Sequence, residues 1–225
     1  MEIDDTKLSK LVQKVIENIG PTFHAPLVLI GEKPGLFKAM AGAGLITASE
    51  LAQRTKTAER YILEWLPAIA AGGYVEYDGE TECFFLSAEQ VFALADETSP
   101  AYLPGAFQAA TAAIRSEGRI TEAFRTGEGV GWHEHDPELY LGTERFYKPN
   151  YAANLFSSWI ASLDGAQEKL QQGAVVADVG CGYGASTILV AEMFPNSRFT
   201  GFEYHELSGS EAGRRADEAH SLQGL

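Results

Sequence analysis

"VVADVGCGYGAST", residues 175–187, constrains this chain more than any other stretch. Branched apolar residues run into an acid, Asp178, and glycine then falls at three alternate positions, Gly180, Gly182 and Gly184. The run "AVVADVG" is almost continuously apolar, the pattern of a short strand buried in a parallel sheet. The glycines predict a tight turn, and "ASTILVAEMF" predicts a helix that ends at Pro195-Asn196. "RFTGFE" follows as a second strand closed by Glu203, and "GSEAGRRADEAHSL" as a further helix. Strand, glycine turn, helix, strand, helix is the opening of a doubly wound α/β fold.

Glycine turns of this kind serve phosphates in dinucleotide-binding proteins, where the spacing is G-x-G-x-x-G. Here the spacing is G-x-G-x-G, and Asp178 stands just before the first glycine. A carboxylate there repels a pyrophosphate and suits a ligand bearing an ammonium group. Glu203, at the end of the next strand, is placed to accept hydrogen bonds from both hydroxyls of a ribose. An amine at one end and a ribose in the middle describe S-adenosylmethionine. Glycines at 180, 182 and 184 let the amino-acid end of such a ligand approach the backbone without meeting β-carbons. A generic tight turn is the alternative reading of the glycines alone. Cys181 reads most simply as a small turn residue.

The first ninety residues have a different texture. Leu8, Leu11, Val12, Val15, Ile16 and Ile19 recur at helical spacing, with acids in the first turn and Gly20-Pro21 as the expected stop. A second, more apolar helix is expected from about Ala25 toward Met40, interrupted near Pro34. Thr47 with Glu50 three residues on predicts a capping box that opens a short helix. Thr57 is expected to open the next helix, over residues 58 to 71, ended by Gly72-Gly73. "YVEYD" and "TECFFL" then read as two strands of a hairpin. Helix, turn, helix and a two-stranded wing make a winged-helix arrangement.

Such domains often read DNA, but a major-groove reader needs side chains for base edges and phosphates. Arg60 is the only basic residue in the second helix, beside Glu59 and Glu64. Residues 46–90 hold three basic and eight acidic residues. The whole chain has 17 basic against 31 acidic residues, a net charge of −14. Nucleic-acid affinity comes largely from Lys and Arg on phosphates, so the expectation is no nucleic-acid binding and a packing or dimerisation role for this domain.

The middle of the chain connects the two halves. Residues 96–118 read as a connection and an alanine-rich helix, and Gly127, Gly129 and Gly131 as an irregular segment. Trp132, His133, Phe146, Tyr147 and Tyr151 are candidates to line an apolar substrate pocket. The alternative reading puts the aromatics in the core of a helix expected from about 148 to 163. His133, Glu134, His135 and Asp136 have metal-ligand chemistry, but alternate residues of a glycine-rich loop lack a scaffold to fix coordination. No metal is expected.

No apolar run approaches the roughly 20 residues a bilayer-spanning helix needs, and the acidic start "MEIDDTKLSK" lacks the apolar segment of a secretory signal. The two cysteines, Cys83 and Cys181, are too few for a disulfide framework. The expectation is a cytoplasmic protein without a membrane partner.

"VVADVGCGYGAST" followed by "FTGFEYHE" resembles motif I and the second-strand acid of class I S-adenosylmethionine-dependent methyltransferases. With the winged-helix front and the "GVGWHEHDPEL…ERFYKPNY" segment, the chain resembles the bacterial small-molecule methyltransferases that carry an amino-terminal winged-helix domain. The resemblance implies that Asp178, Gly180, Cys181, Gly182 and Gly184 surround the methionine portion of the cofactor, that Glu203 holds the ribose, and that Tyr204 lies near the adenine. It also implies a homodimer through the front domain and a small-molecule methyl acceptor, and it leaves the catalytic base unassigned.

The expected architecture is mixed α/β. A mostly helical winged-helix domain spans 1–95, a helical linker or cap 96–165, and part of a Rossmann-like cofactor domain 166–225. The family's catalytic domain has seven strands, and this chain stops after the second strand and its helix. It is therefore expected to be an excised or prematurely ended product, or to depend on self-association, and to bind cofactor weakly or not at all. The alternative expectation is a non-catalytic winged-helix regulator or dimerisation module.

Overall fold

The computed structural model describes residues 3–223. The chain divides after Thr111 into two compact units.

The first unit opens on α1 (Asp5–Glu32), capped by the Asp4 carboxylate, which accepts from the backbone N–H groups of Thr6 and Lys7. This helix runs through both Pro21 and Pro26, so the stop expected at Gly20-Pro21 does not occur. A proline removes one donor and crowds the carbonyl four residues back, which need not end a helix whose neighbouring turns stay bonded. The break comes at residues 33–35 instead, where Gly35 takes a left-handed φ of 78° and starts α2 (Leu36–Met40). Only the last turns of α1 are buried, at Ala25, Val28, Leu29 and Gly31.

α3 (Ala48–Thr55) begins at the capping box the sequence announces: Thr47 Oγ accepts from Glu50 N–H at 3.2 Å, and Glu50 accepts from Thr47 N–H at 2.8 Å. α4 (Glu59–Ala71) does not start on Thr57. Its cap position is Ala58, without a side-chain bond, and the Thr57 hydroxyl pairs with that of Thr55 at 2.9 Å. β1 (Glu76–Asp78) and β2 (Cys83–Phe85) form the antiparallel wing, in register Glu76↔Phe85 and Asp78↔Cys83. A bridge from Ile46 to Phe84 ties the wing to the chain ahead of α3. α5 (Ala88–Leu94) then closes the core with a second capping box, Ser87 with Gln90, a signal present in the sequence that the sequence reading passed over. Phe37, Leu66, Ile69 and Val75 lie at the centre of one apolar cluster.

Gly31 tests how tightly that cluster is packed. A Cβ there would lie 2.3 Å from Trp65 Cζ2 and 2.7 Å from Phe37 Cε2. Neither ring has room to retreat. The two pack edge to face at 5.3 Å, and the Trp65 indole N–H donates to the Leu27 carbonyl at 2.9 Å. In an open helix, alanine is favoured over glycine by about 1 kcal/mol. Overpacking a filled core costs about 1 to 3 kcal/mol, and here two rings are struck at once. Gly31→Ala is therefore expected to destabilise the unit, read as a lower urea midpoint. A raised midpoint would mean that the rings yield freely.

α6 (Pro104–Arg115) carries the chain into the second unit, followed by α7 (Glu117–Thr126) and the glycine segment 127–131. After a single 3₁₀ turn, Trp132–Glu134, α8 (Pro137–Asn154) begins. The helix expected from about 148 thus starts eleven residues earlier, on an Asp136 cap with Pro137 in the first turn. It continues as a π-helical stretch, Leu155–Ile160. Then come α9 (Ala166–Gln172), β3 (Val175–Val179), α10 (Ala185–Met193), β4 (Arg198–Phe202) and α11 (Glu206–Gln223).

β3 and β4 pair in parallel, Val175 opposite Arg198 and Val179 opposite Phe202. This is the expected strand, turn, helix, strand, helix order. The strand expected to be buried is not: Val175 is 76% and Val179 82% exposed. Residues two apart share a sheet face, and among the described residues the face of β3 that carries these valines is open.

Candidate functional site

The site grows from the turn between β3 and α10. Gly180, Gly182 and Gly184 take φ values of 78°, 56° and 76°, a region closed to most L-residues. At Gly180 and Gly182 an added Cβ would meet nothing within 4 Å, so the backbone angle demands glycine there and the space beside the turn stays open.

Backbone and carboxylate bonds hold the turn against the end of β4. Gly180 N–H and Cys181 N–H both donate to the Phe202 carbonyl, at 2.7 and 3.2 Å. The Glu203 carboxylate accepts from Gly182 N–H at 2.8 Å with one oxygen and from His205 N–H at 3.0 Å with the other. Asp178 faces the first turn of α10 instead, where it accepts from the hydroxyls of Thr187 at 2.5 Å and Ser186 at 3.4 Å. A carboxylate offers about four acceptor positions, so both acids keep capacity for a ligand.

Over the turn lies a cavity of about 390 Å³, within the usual range for small-molecule sites. Gly180, Cys181, Gly182 and Glu203 form its floor, and Tyr183 and Tyr204 also line it. One face of α8 forms its wall: Tyr140, Glu144, Tyr147 and Tyr151 recur at spacings of four, three and four residues. Tyr147 and Tyr151 stack with ring centroids 6.0 Å apart, and Trp132 packs on Tyr140 at 5.1 Å.

Burial raises the pKa of the Tyr151 hydroxyl, with help from Tyr147 and Asp178. Burial also pushes the Cys181 thiol up, and the charges of Asp178 and Glu203 push the same way. A thiol held protonated is a poor nucleophile, in keeping with a turn residue rather than a reactive one.

Of the residues expected from sequence to serve a substrate, Trp132, Tyr147 and Tyr151 line this cavity and His133 and Phe146 do not. His133 faces the ring of Tyr204 at 6.5 Å, and Phe146 packs on Tyr147 at 5.0 Å. Asp178 sits behind the turn, and Gly184 starts α10 and borders a second cavity of about 330 Å³. Sequence reasoning missed Tyr140, Glu144 and Tyr183. The first two would have been found as a helical stripe with Tyr147 and Tyr151, had α8 been started at Asp136-Pro137.

The residues weighed as metal ligands have structural partners. Glu134 accepts from Gly131 N–H at 2.6 Å, His135 Nδ1 meets the Ser116 hydroxyl at 3.1 Å, and Asp136 pairs with Arg115 at 3.0 Å. Among the described residues no three His, Cys, Asp or Glu side chains gather as a metal site. Nor is any described helix long and apolar enough to cross a membrane.

A winged-helix front followed by a parallel β3–β4 pair with its helices is a fold shared with known proteins. Residues 23–96 match the family model of the Rv2258c-like winged HTH domain. Many solved structures share the fold, among them the following three. The mitomycin 7-O-methyltransferase MmcR is 20% identical, with a TM-score of 0.67 over 96% of this chain and 64% of that one. An O-methyltransferase family protein from Burkholderia thailandensis is 17% identical, with a TM-score of 0.63 over 100% of this chain and 63% of that one. Human N-acetylserotonin methyltransferase, solved in complex with SAM, is 13% identical, with a TM-score of 0.61 over 85% of this chain and 58% of that one. The chain thus spans less than two thirds of the length of these structures. No curated protein matches the sequence.

Proposed function

We propose that the second unit contributes the S-adenosylmethionine site of a methyltransferase that acts on a small-molecule acceptor. The observation that carries this is the Glu203 carboxylate bonded to Gly182 N–H, with the open glycine turn and an aromatic cavity beside it. The shared fold with solved methyltransferases supports the reading.

The donor set fits the cofactor. Glu203 would accept from the ribose hydroxyls through its remaining lone pairs, and Gly180 and Gly182 leave room for the amino-acid end. Asp178 supplies negative charge near that end, behind the turn. Tyr140, Tyr147 and Tyr151 of α8 line the cavity, and aromatic rings there would attract a cation. Bound S-adenosylmethionine would supply a methyl group on a sulfonium. The chain's own part is to hold that group in line with an acceptor, and orientation of this kind supplies much of the rate in transfer reactions.

Saturation-transfer NMR of the chain with S-adenosylhomocysteine tests the reading and reports binding even when it is weak. Transfer to the adenine and ribose protons that Glu203→Ala diminishes is the expected result. No transfer at millimolar ligand would sink the proposal.

The amino-terminal unit is proposed to join two copies rather than to read DNA. Leu8, Leu11, Val12, Val15, Ile16 and Ile19 form an apolar stripe on α1, each 46–60% exposed. On α4, Arg60 is paired with Glu64 at 2.5 Å, while Tyr61 and Leu63 are exposed. Stable interfaces bury on the order of 1,200 to 2,000 Å². Light scattering should give the mass of a dimer at micromolar concentration, and that of a monomer for Leu11→Glu with Ile16→Glu. A monomeric parent chain contradicts the reading.

A further inference from the structure

We propose that Arg215 is a positioning residue that clamps the glycine turn from α11, through the ring of Tyr183 on one side and the carboxylate of Glu144 on the other. As a statement about cofactor binding, it rests on the reading of the cavity given above.

Three observations meet at this side chain. Its guanidinium bonds to the Glu144 carboxylate, and the pair is sheltered, with side chains 28% and 11% exposed. By contrast, the pair of Arg60 with Glu64 is 71% and 70% exposed. Glu144 belongs to the α8 wall of the cavity. The same guanidinium lies 5.2 Å from the ring centroid of Tyr183, the residue between Gly182 and Gly184. Its Nε donates to Glu211 at 2.8 Å, which fixes the fork from within α11.

The turn needs such an anchor. Glycines lose more conformational freedom on ordering than any other residue, and three of them surround Cys181 and Tyr183. Phe202 and Glu203 tie down residues 180–182, and Gly184 N–H closes the turn on the Cys181 carbonyl at 2.9 Å, but none of these bonds engages the side chain of Tyr183, which Arg215 holds. A planar guanidinium can stack on an aromatic face and bond a carboxylate at the same time, which an ammonium does less well. Arg215 therefore couples α8, the turn and α11, and offsets the charge of Glu144 in a cavity that also holds Glu203.

Cys181 reports the state of the turn without any ligand. In a Cys83→Ala chain it is the one remaining thiol, and its alkylation by iodoacetamide at about pH 9 proceeds through the thiolate. Arg215→Met is expected to speed this reaction about fivefold, because a loosened turn opens more often. The sign is diagnostic: losing a positive charge would, by electrostatics alone, slow a thiolate reaction. The same variant should weaken S-adenosylhomocysteine binding about tenfold. Arg215→Lys should restore only part of both. Tyr183→Ala should match Arg215→Met in alkylation rate, and the double variant should add nothing. Arg125→Gln, which alters an exposed arginine of α7 paired with Glu122, is expected to leave the rate unchanged.

An unchanged rate in Arg215→Met with intact helix content overturns the clamp, and so do additive effects in the double variant. Should Arg215→Met fail to fold, Tyr183→Ala, which keeps the ion pair, decides the matter, and no acceleration there refutes the clamp. Acceleration in Arg215→Met, when the parent chain takes up no S-adenosylhomocysteine, upholds the clamp and rejects the cofactor reading.

Discussion

Leu66→Ala is expected to destabilise the amino-terminal unit by about 2 to 5 kcal/mol, while Leu63→Ala, three residues earlier on α4, changes its stability by less than about 0.5 kcal/mol. The two substitutions remove the same atoms from the same helix. Leu66 is fully buried among Phe37, Ile69 and Val75, and its loss leaves a cavity in a cluster that cannot collapse freely. Leu63 is 50% exposed and leaves none. Urea unfolding followed by Trp65 fluorescence in a Trp132→Phe, Trp159→Phe chain measures both, because the indole sits in the same core and neither substitution removes it. Equal effects would mean that α4 presents a different face to the core. A large effect for Leu63→Ala that fades on dilution would instead place it in an interface.

Glu203→Ala is expected to act on stability and binding together. The carboxylate accepts two backbone N–H bonds, from Gly182 and His205. Bonds to a charged group contribute about 1.5 to 3 kcal/mol each, and the substitution leaves both donors unpaired. The second unit should lose about that much stability, seen in unfolding monitored by Trp132 and Trp159. Any S-adenosylhomocysteine affinity should fall about tenfold to a hundredfold. Glu203→Gln keeps one carbonyl acceptor and should lie between. Full stability in Glu203→Ala would show that the turn is held without this carboxylate; unchanged affinity would remove Glu203 from the site.

Much of this protein was legible in residue order because the deciding physics is local. The Thr47–Glu50 box, the wing hairpin and the left-handed glycines at 180, 182 and 184 depend on side chains within a few residues of one another. They therefore form as read. The errors have local causes too. Pro21 reads as a stop, although α1 absorbs it, and the aromatic spacing alone starts α8 near 148, whereas the Asp136 cap with Pro137 starts it eleven residues earlier. That second slip cost the most for function, since it concealed the stripe of Tyr140 and Glu144 that completes the cavity wall.

The sequence by itself determined the order of elements, the acidic character that disfavours nucleic acid, and the pairing of a glycine turn with an acid at the end of the following strand. Tertiary structure alone decided which partner each acid takes. Asp178 turns to the α10 hydroxyls and Glu203 to the glycine turn, a choice set by the parallel register of β3 and β4. It also decided burial. A run of valines predicts a covered strand, and what covers a face comes from segments distant along the chain; among the described residues nothing packs over Val175 and Val179. The meeting of Glu144, Tyr183 and Arg215 belongs to the same class. These residues are distant along the chain, and no local rule brings them together; the packing of α8 and α11 around the turn does.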